Sequence, residues 1–185
     1  MMNITKRGWM AMSLAIALTR FAAPAHAVHT PDDPSAYVTH SVVITGTVEH
    51  PQTVTVSDLR KLPPQRVSEV GLVCQSGADM GKLQNVKGVR LTDLLDQAVI
   101  QTPGHNDVKK MVVIATASDD YAVVFSWTEL YNSPLGDGVV VYFEKDGVPL
   151  GDDEGRIAMV SSKDTRTGPR HVKWLKRIEV RKVVD

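Results

Sequence analysis

Residues 138–143, GVVVYF, carry five apolar side chains in six positions. Successive side chains of a strand point to opposite faces, so an unbroken apolar run of this length marks a strand buried on both sides. The rest of the chain offers mostly further strands, at residues 41–48, 53–56, 67–75, 111–117, 121–125, 156–161 and 171–180. Gly46 inside the first of these points to a bulge or a close approach of another backbone. Ser118-Asp119-Asp120 joins two of the segments as a hairpin, and Asp146-Gly147 is a two-residue turn of the primed kind.

Helices are short and scattered among the strands. Ser57 is placed to cap a helix over residues 58–62, which Pro63-Pro64 ends. Leu91, Leu94, Leu95, Ala98 and Val99 recur at helical spacing, with Asp93 and Asp96 facing out and Pro103-Gly104 closing the segment. Ser126-x-x-Glu129 is a capping box that starts a helix running through Tyr131. Strands with short interspersed helices predict an α+β domain built on mixed β-sheets. Neither a G-x-G-x-x-G nor a G-x-x-x-x-G-K-[ST] loop is present, which argues against a doubly wound nucleotide-binding sheet.

The first residues read as an address. Lys6 and Arg7, an apolar stretch over residues 9–18 and the small-x-small signal Ala25-His26-Ala27 form a secretory signal peptide over residues 1–27. Cleavage leaves Val28 as the N-terminus. The apolar stretch is well short of the ~20 residues of a membrane span, and Arg20 interrupts its extension. A transmembrane anchor is the competing reading. The expectation is a periplasmic protein with no stable membrane anchor, made of a lead-in or tether over residues 28–41 and one domain over residues 42–185. Lys plus Arg and Asp plus Glu number 21 each, so no overall field recommends nucleic acid or an anionic membrane as a partner.

Cys74 is the only cysteine, so no internal disulfide can form. In an oxidising compartment a lone thiol is a liability unless it is buried, ligated or used. No C-x-x-C-H haem signature and no H-E-x-x-H zinc signature accompanies it. It sits in Gly71-Leu72-Val73-Cys74-Gln75-Ser76-Gly77, after a strand and before a turn, where a thiolate can act as a soft metal ligand. A buried apolar thiol is the other reading. Basic residues crowd the tail, and there Gly168-Pro169 fixes a turn followed by Arg170, His171 and Lys173, with Val172, Trp174 and Leu175 as apolar anchors. Arginine forks and a lysine point charge suit a phosphate. A solvated basic strand is the alternative. His29, His40, His50 and His105 lack metal-ligand spacing, and Asp119-Asp120 and Asp152-Asp153-Glu154 read as solvated turns rather than cation sites.

Four segments, taken in order, resemble the sulfite oxidase family of molybdopterin-dependent oxidoreductases. They are residues 46–63, from Gly46-Thr47-Val48 through Thr53-Val54-Thr55-Val56-Ser57-Asp58-Leu59 to Leu62-Pro63; Gly88-Val89-Arg90-Leu91-Thr92-Asp93-Leu94-Leu95; Asp146-Gly147-Val148-Pro149-Leu150 with Asp153 and Gly155; and the tail GPRHVKWLKRIEV over residues 168–180. The resemblance covers about residues 42–181 and implies a sulfite-oxidase-like molybdopterin-binding fold. It implies a pyranopterin dithiolene holding molybdenum, with Cys74 as the thiolate ligand. Arg170, His171 and Lys173 would lie against the pterin and its phosphate, with Arg166 assisting, and Tyr121 and Arg156 are candidate pocket residues with structural roles as the other reading.

The implied reaction moves an oxygen atom or two electrons to or from a small substrate. The implied partner is a periplasmic electron-transfer protein or a subunit that completes the pocket. Where the family commonly has a Gly-Asn-Arg-like stretch after its cysteine, this chain has Gln75-Ser76-Gly77-Ala78-Asp79. A second reading, from a different class, is a cofactor-free small-ligand or protein-binding module on the same fold, with Cys74 buried and the basic tail on the surface.

Overall fold

The structure, a computed structural model, describes residues 33–184. The expected signal peptide over residues 1–27 and His29 lie outside the described residues. Eleven strands and three short helices are described, and no described helix is long and apolar enough to cross a membrane.

The strands form two sheets. In the first the order is β2 (Gln52–Thr55), β1 (Ser41–Gly46), β11 (Leu175–Lys182), β5 (Met111–Ala117) and β6 (Ala122–Ser126). β1 and β11 run parallel and the other neighbours antiparallel, so this sheet is mixed as expected. In the second the order is β10 (His171–Val172), β9 (Ala158–Ser161), β7 (Val139–Lys145), β4 (Asp79–Arg90) and β3 (Gln65–Val73), all antiparallel, with β8 (Val148–Pro149) paired to the end of β7. The primed turn between β7 and β8 is present, with Asp146 and Gly147 both at positive φ (54° and 78°).

β7 is the apolar run of the sequence, and all five residues from Val139 to Phe143 are buried. Its two faces feed two different cores. Val139, Val141 and Phe143 join Met159, Val172, Phe125, Ile178 and the helix α2 (Leu91–Ala98) between the sheets. Val140 and Tyr142 point the other way, into a smaller core with Val70, Leu83, Val86, Leu150, Ala158 and Val160. The long β3–β4 hairpin supplies three of these residues and so covers the face of its own sheet.

Several elements differ from the sequence expectation for definite reasons. β4 carries no apolar alternation over its first four residues, 79–82, which are exposed, so only pairing with β3 makes this part a strand. The first helix, α1, spans Val56–Leu59 and is capped by Thr55 rather than Ser57. The Thr55 hydroxyl accepts from the Asp58 N–H while the Asp58 carboxylate accepts from the Thr55 N–H, a reciprocal box that starts two residues before the expected cap. α2 stops at Ala98, because the Glu49 and His50 N–H groups take the carbonyls of Val99 and Ala98 and Val99 turns to φ 56°. α3, Trp127–Tyr131, has its expected box on Ser126 and Glu129. Within the lead-in, Pro34–Tyr37 form a 3-10 turn, and the Tyr37 ring lies against Trp174 with centroids 5.7 Å apart.

The largest difference concerns the tail. Residues 171–180 do not form one strand. β10 pairs with β9 in the second sheet, Trp174 turns at φ 49°, and β11 continues in the first sheet between β1 and β5. The turn is held by the loop before β9. The Trp174 N–H donates to the Glu154 carbonyl (2.8 Å), and the Trp174 indole N–H donates to the Asp152 carbonyl (2.7 Å). Gly155 leaves room for the indole, since a Cβ there would sit 2.9 Å from Trp174 Cδ1.

That loop also buries charge. Glu154, read from the sequence as part of a solvated acidic turn, is 4% exposed. Lys145 Nζ donates to its Oε1 (2.8 Å) and the Tyr142 hydroxyl to its Oε2 (3.2 Å), while Tyr142 Oη lies 2.8 Å from His171 Nε2. A buried carboxylate is tolerated when its lone pairs and charge are met in this way. Burial pulls the His171 pKa down to about 4; the Glu154 charge opposes this, and Lys173 and Lys145 reinforce it.

Two stability tests follow from these placements. Gly46 stands at φ 93° with room for a Cβ only 2.0 Å from the Val180 carbonyl oxygen, the close approach anticipated from the sequence. Gly147 is at positive φ but open. Gly147→Ala should cost about 1–2 kcal/mol from its backbone conformation, and Gly46→Ala should lower the urea midpoint further, by about another 1–3 kcal/mol of crowding. The second test is pH. An unfolded histidine takes its proton near pH 6.5 but folded His171 only near 4. The unfolded chain therefore binds the extra proton between these values. Stability from this group is complete above pH 6.5 and falls by about 3 kcal/mol as the pH drops to 4. Urea midpoints at pH 7 and 4.5 should differ less in His171→Gln than in the wild type.

Candidate functional site

Cys74 lies just beyond β3, in the turn that leads into β4. It is half-buried and belongs to neither core. Its own backbone closes the turn, with the Cys74 N–H donating to Ala78 O (2.9 Å) and the Gly77 N–H to Cys74 O (2.8 Å). The thiol is held below the ordinary cysteine range, chiefly by the nearby Ser76 backbone N–H and hydroxyl; burial opposes this, and the Gln75 N–H adds a smaller contribution. Donors aimed at sulfur favour the thiolate, the form that binds metals and attacks electrophiles. The residues that replace the family's Gly-Asn-Arg-like stretch are thus the ones that prepare the thiol.

The tail meets this turn through Arg166, Thr167 and Gly168. The buried Thr167 hydroxyl accepts from the Val73 N–H (2.9 Å) and donates to the Gly71 carbonyl (2.6 Å), tying the tail to the end of β3. Gly168 lies so close to the Cys74 segment that a Cβ would come within 2.9 Å of Val73 O and 3.5 Å of the Cys74 Cα. The Arg166 guanidinium lies over Gly77, where a Cβ would stand 3.2 Å from its Nη2. Thiol and tail, about ninety residues apart in the chain, meet at the tip of the β3–β4 hairpin.

The other expected site residues separate into two groups. Lys173, between β10 and the Trp174 turn, has its ammonium 5.8 Å from the Trp174 ring centroid. Like Arg166, it has no carboxylate partner among the described residues. Arg170, by contrast, ends the 3-10 turn Gly168–Arg170 with its side chain directed into the protein. Its Nε donates to Asp164 Oδ2 (2.7 Å), a second N–H to Asp164 Oδ1, and Nη1 to Glu129 Oε1 (3.1 Å), with the guanidinium 4.4 Å from the Phe125 ring centroid. His171 is engaged by Tyr142.

Tyr121 and Arg156 both make structural bonds. The Tyr121 hydroxyl donates to the Pro169 carbonyl (2.6 Å), bracing the Gly168–Arg170 turn, and Arg156 holds Leu150 O and Asp152. Thr167 went unread in the sequence, Tyr142 was read only as part of the buried apolar run, and Glu154 only as part of a solvated acidic turn. A threonine, a tyrosine inside an apolar run and a glutamate in an acidic turn give no local sign of the partners the fold assigns them. Among the described residues no cluster of His, Cys, Asp and Glu has the arrangement of a metal-binding group. A soft metal here would therefore take one protein ligand, the Cys74 sulfur, and the remainder from a cofactor.

Neither of the two main cavities among the described residues reaches Cys74. One is a groove along Gln52, Asp58, Lys61 and Gln97, and the other opens beside Lys145, Leu150 and Glu154. The half-buried thiol lies outside both.

Comparison with known proteins places this arrangement. No curated protein matches the sequence. A solved structure of the sulfane dehydrogenase SoxCD from Paracoccus pantotrophus matches with a TM-score of 0.61 at 20% identity, over 77% of this chain. The match spans 38% of that chain's length, and at this identity the likeness is one of fold. The family model described as oxidoreductase molybdopterin binding domain matches residues 27–184, which takes in every strand and helix described above. The chain belongs to that family, the molybdopterin-binding oxidoreductase domains of the sulfite oxidase type.

Proposed function

We propose that this chain is an exported molybdenum-cofactor-dependent oxidoreductase in which the Cys74 thiolate is the protein's ligand to the metal. One observation carries the reading: the only cysteine is outside both cores, at a turn whose N–H groups and hydroxyl favour the thiolate, with the Gly168 backbone and Arg166 against that turn. A structural cysteine needs none of these. When bound, the cofactor would supply oxygen-atom or two-electron exchange with a small substrate.

The chain's own residues have separate tasks. The Gln75–Ser76 donors favour the thiolate, and Thr167 keeps the tail in register with it. Arg166 and Lys173, whose charges are not met by described carboxylates, are the cations for an anionic cofactor group and draw anionic substrates to the site. Arg170, with Asp164 and Glu129 already on its guanidinium, positions the Gly168–Arg170 turn and does not bind phosphate. A half-buried thiol outside both cavities supports a partner protein that completes the pocket or receives electrons. The N-terminal segment over residues 1–27 supports the periplasm as the compartment.

The test is metal content. The full precursor, expressed in a host that makes the cofactor and purified after export, should carry near-stoichiometric molybdenum together with releasable pterin. Cys74→Ser should lose the molybdenum while keeping its urea midpoint. Folded wild-type protein without molybdenum would defeat the proposal. Thr167→Val, which leaves the Val73 N–H and the Gly71 carbonyl without their partner, should cost about 1–3 kcal/mol and weaken molybdenum retention about 10-fold.

A further inference from the structure

With a neutral His171 ring, the buried chain Lys145–Glu154–Tyr142–His171 has only one arrangement of protons that satisfies it. Glu154 is an acceptor on both oxygens, and Lys145 serves Oε1 at 2.8 Å. Oε2 has the Tyr142 hydroxyl at 3.2 Å, and that hydroxyl owns a single proton. Once the proton is directed to the carboxylate, the Tyr142 oxygen can only accept from its other neighbour, His171 Nε2 at 2.8 Å. If the proton went to His171 instead, Tyr142 Oη and Glu154 Oε2 would face each other as two acceptors in a largely buried site. Tyr142 is fully buried and Glu154 nearly so, and an unsatisfied carboxylate oxygen there is costly.

We infer that Glu154, acting through Tyr142, fixes His171 as the neutral Nε2–H tautomer, so that the ring offers the site only the bare lone pair of Nδ1. Nδ1 has no hydrogen-bond partner among the described residues. It is also not one of their sealed, unpartnered polar atoms, which are Thr39 Oγ1, Gln52 Nε2 and Ser161 Oγ. A neutral ring with a lone pair outward repels a phosphate oxygen and accepts from an N–H. On the cofactor reading proposed above, His171 therefore meets an amide or amino N–H edge of the kind a pterin ring carries, and Arg166 and Lys173 are left to serve the phosphate. Glu154 and Tyr142 are positioning residues in this account, since neither reaches the site itself. The charged groups around the ring, Lys145, Lys173 and Glu154, belong to three different elements, and the low proton affinity of His171 agrees with a neutral ring.

Long-range nitrogen correlation spectra of the whole ¹⁵N-histidine-labelled protein, free of cofactor and at neutral pH, read the tautomer directly. His171→Gln assigns the resonances. The expected result is a protonated, pyrrole-type Nε2 and a bare, pyridine-type Nδ1. Tyr142→Phe removes the acceptor, and Glu154→Gln removes the charge that orients it. Each should shift the ring to a mixture of tautomers, a change that a purely structural role would not produce while the unfolding midpoint reports the fold. A wild-type ring protonated on Nδ1, or on both nitrogens, overturns the inference. So does a fixed Nε2–H form that persists in both variants. In molybdenum-loaded protein the Nδ1 resonance should move towards the hydrogen-bonded range, and an unmoved Nδ1 overturns the ligand assignment. Failure to load molybdenum defeats the cofactor reading and the ligand assignment resting on it. A wrong tautomer in protein that does load molybdenum defeats only this inference.

Discussion

The crossing of the tail from one sheet to the other at Trp174 is the constraint on which the remaining arrangement depends. A bulky residue at positive φ costs about 1–2 kcal/mol, and here both its N–H groups and its ring are held by the loop from Asp152 to Gly155. Because the crossing is pinned, β10 stays in the second sheet and β11 lies between β1 and β5 in the first. The segment just before the crossing, from Arg166 to Lys173, is then carried along the edge of the second sheet. Thr167 and Gly168 meet the end of β3, and so Arg166 arrives beside the turn that carries Cys74.

The buried polar chain serves both sides of this arrangement. Tyr142 belongs to β7, the strand that is buried on both faces, so its hydroxyl needs internal partners. Glu154 supplies one from the loop that clamps Trp174, and His171 supplies the other from β10. The same carboxylate that satisfies the core therefore orders the loop, and the loop orders the tail. Replacing the chain with apolar residues could preserve stability, but it would remove the device that sets the direction of the His171 ring.

Much of this fold was legible because its signals are local. The run 138–143, the Asp146-Gly147 turn and the Ser126/Glu129 box each determine their element from a few adjacent residues, and each appears as read. β4 was not legible, since its exposed first four residues are a strand only by pairing with β3. The tail read as one continuous strand because its apolar alternation survives the break; the positive φ at Trp174 depends on Gly155 and the Glu154 carbonyl, nearly twenty residues upstream.

The site followed the same division. Cys74 and the cationic tail stood out by composition, and the resemblance to a known family linked them. The burial of Arg170 against Asp164 and Glu129, the tie through Thr167 and the burial of Glu154 rest on partners distant in sequence, and no spacing rule reports those. The resemblance gave Arg166, Arg170, His171 and Lys173 to the pterin and its phosphate together; in the fold Arg170 carries two carboxylates, while Arg166 and Lys173 carry none among the described residues.

The claim at the centre of this account is that the Cys74 sulfur ligates the metal. X-ray absorption at the molybdenum edge of the loaded, exported protein measures it directly. The account predicts one more sulfur in the first coordination shell than the pterin dithiolene can supply. A shell whose sulfurs are all accounted for by the dithiolene would contradict it.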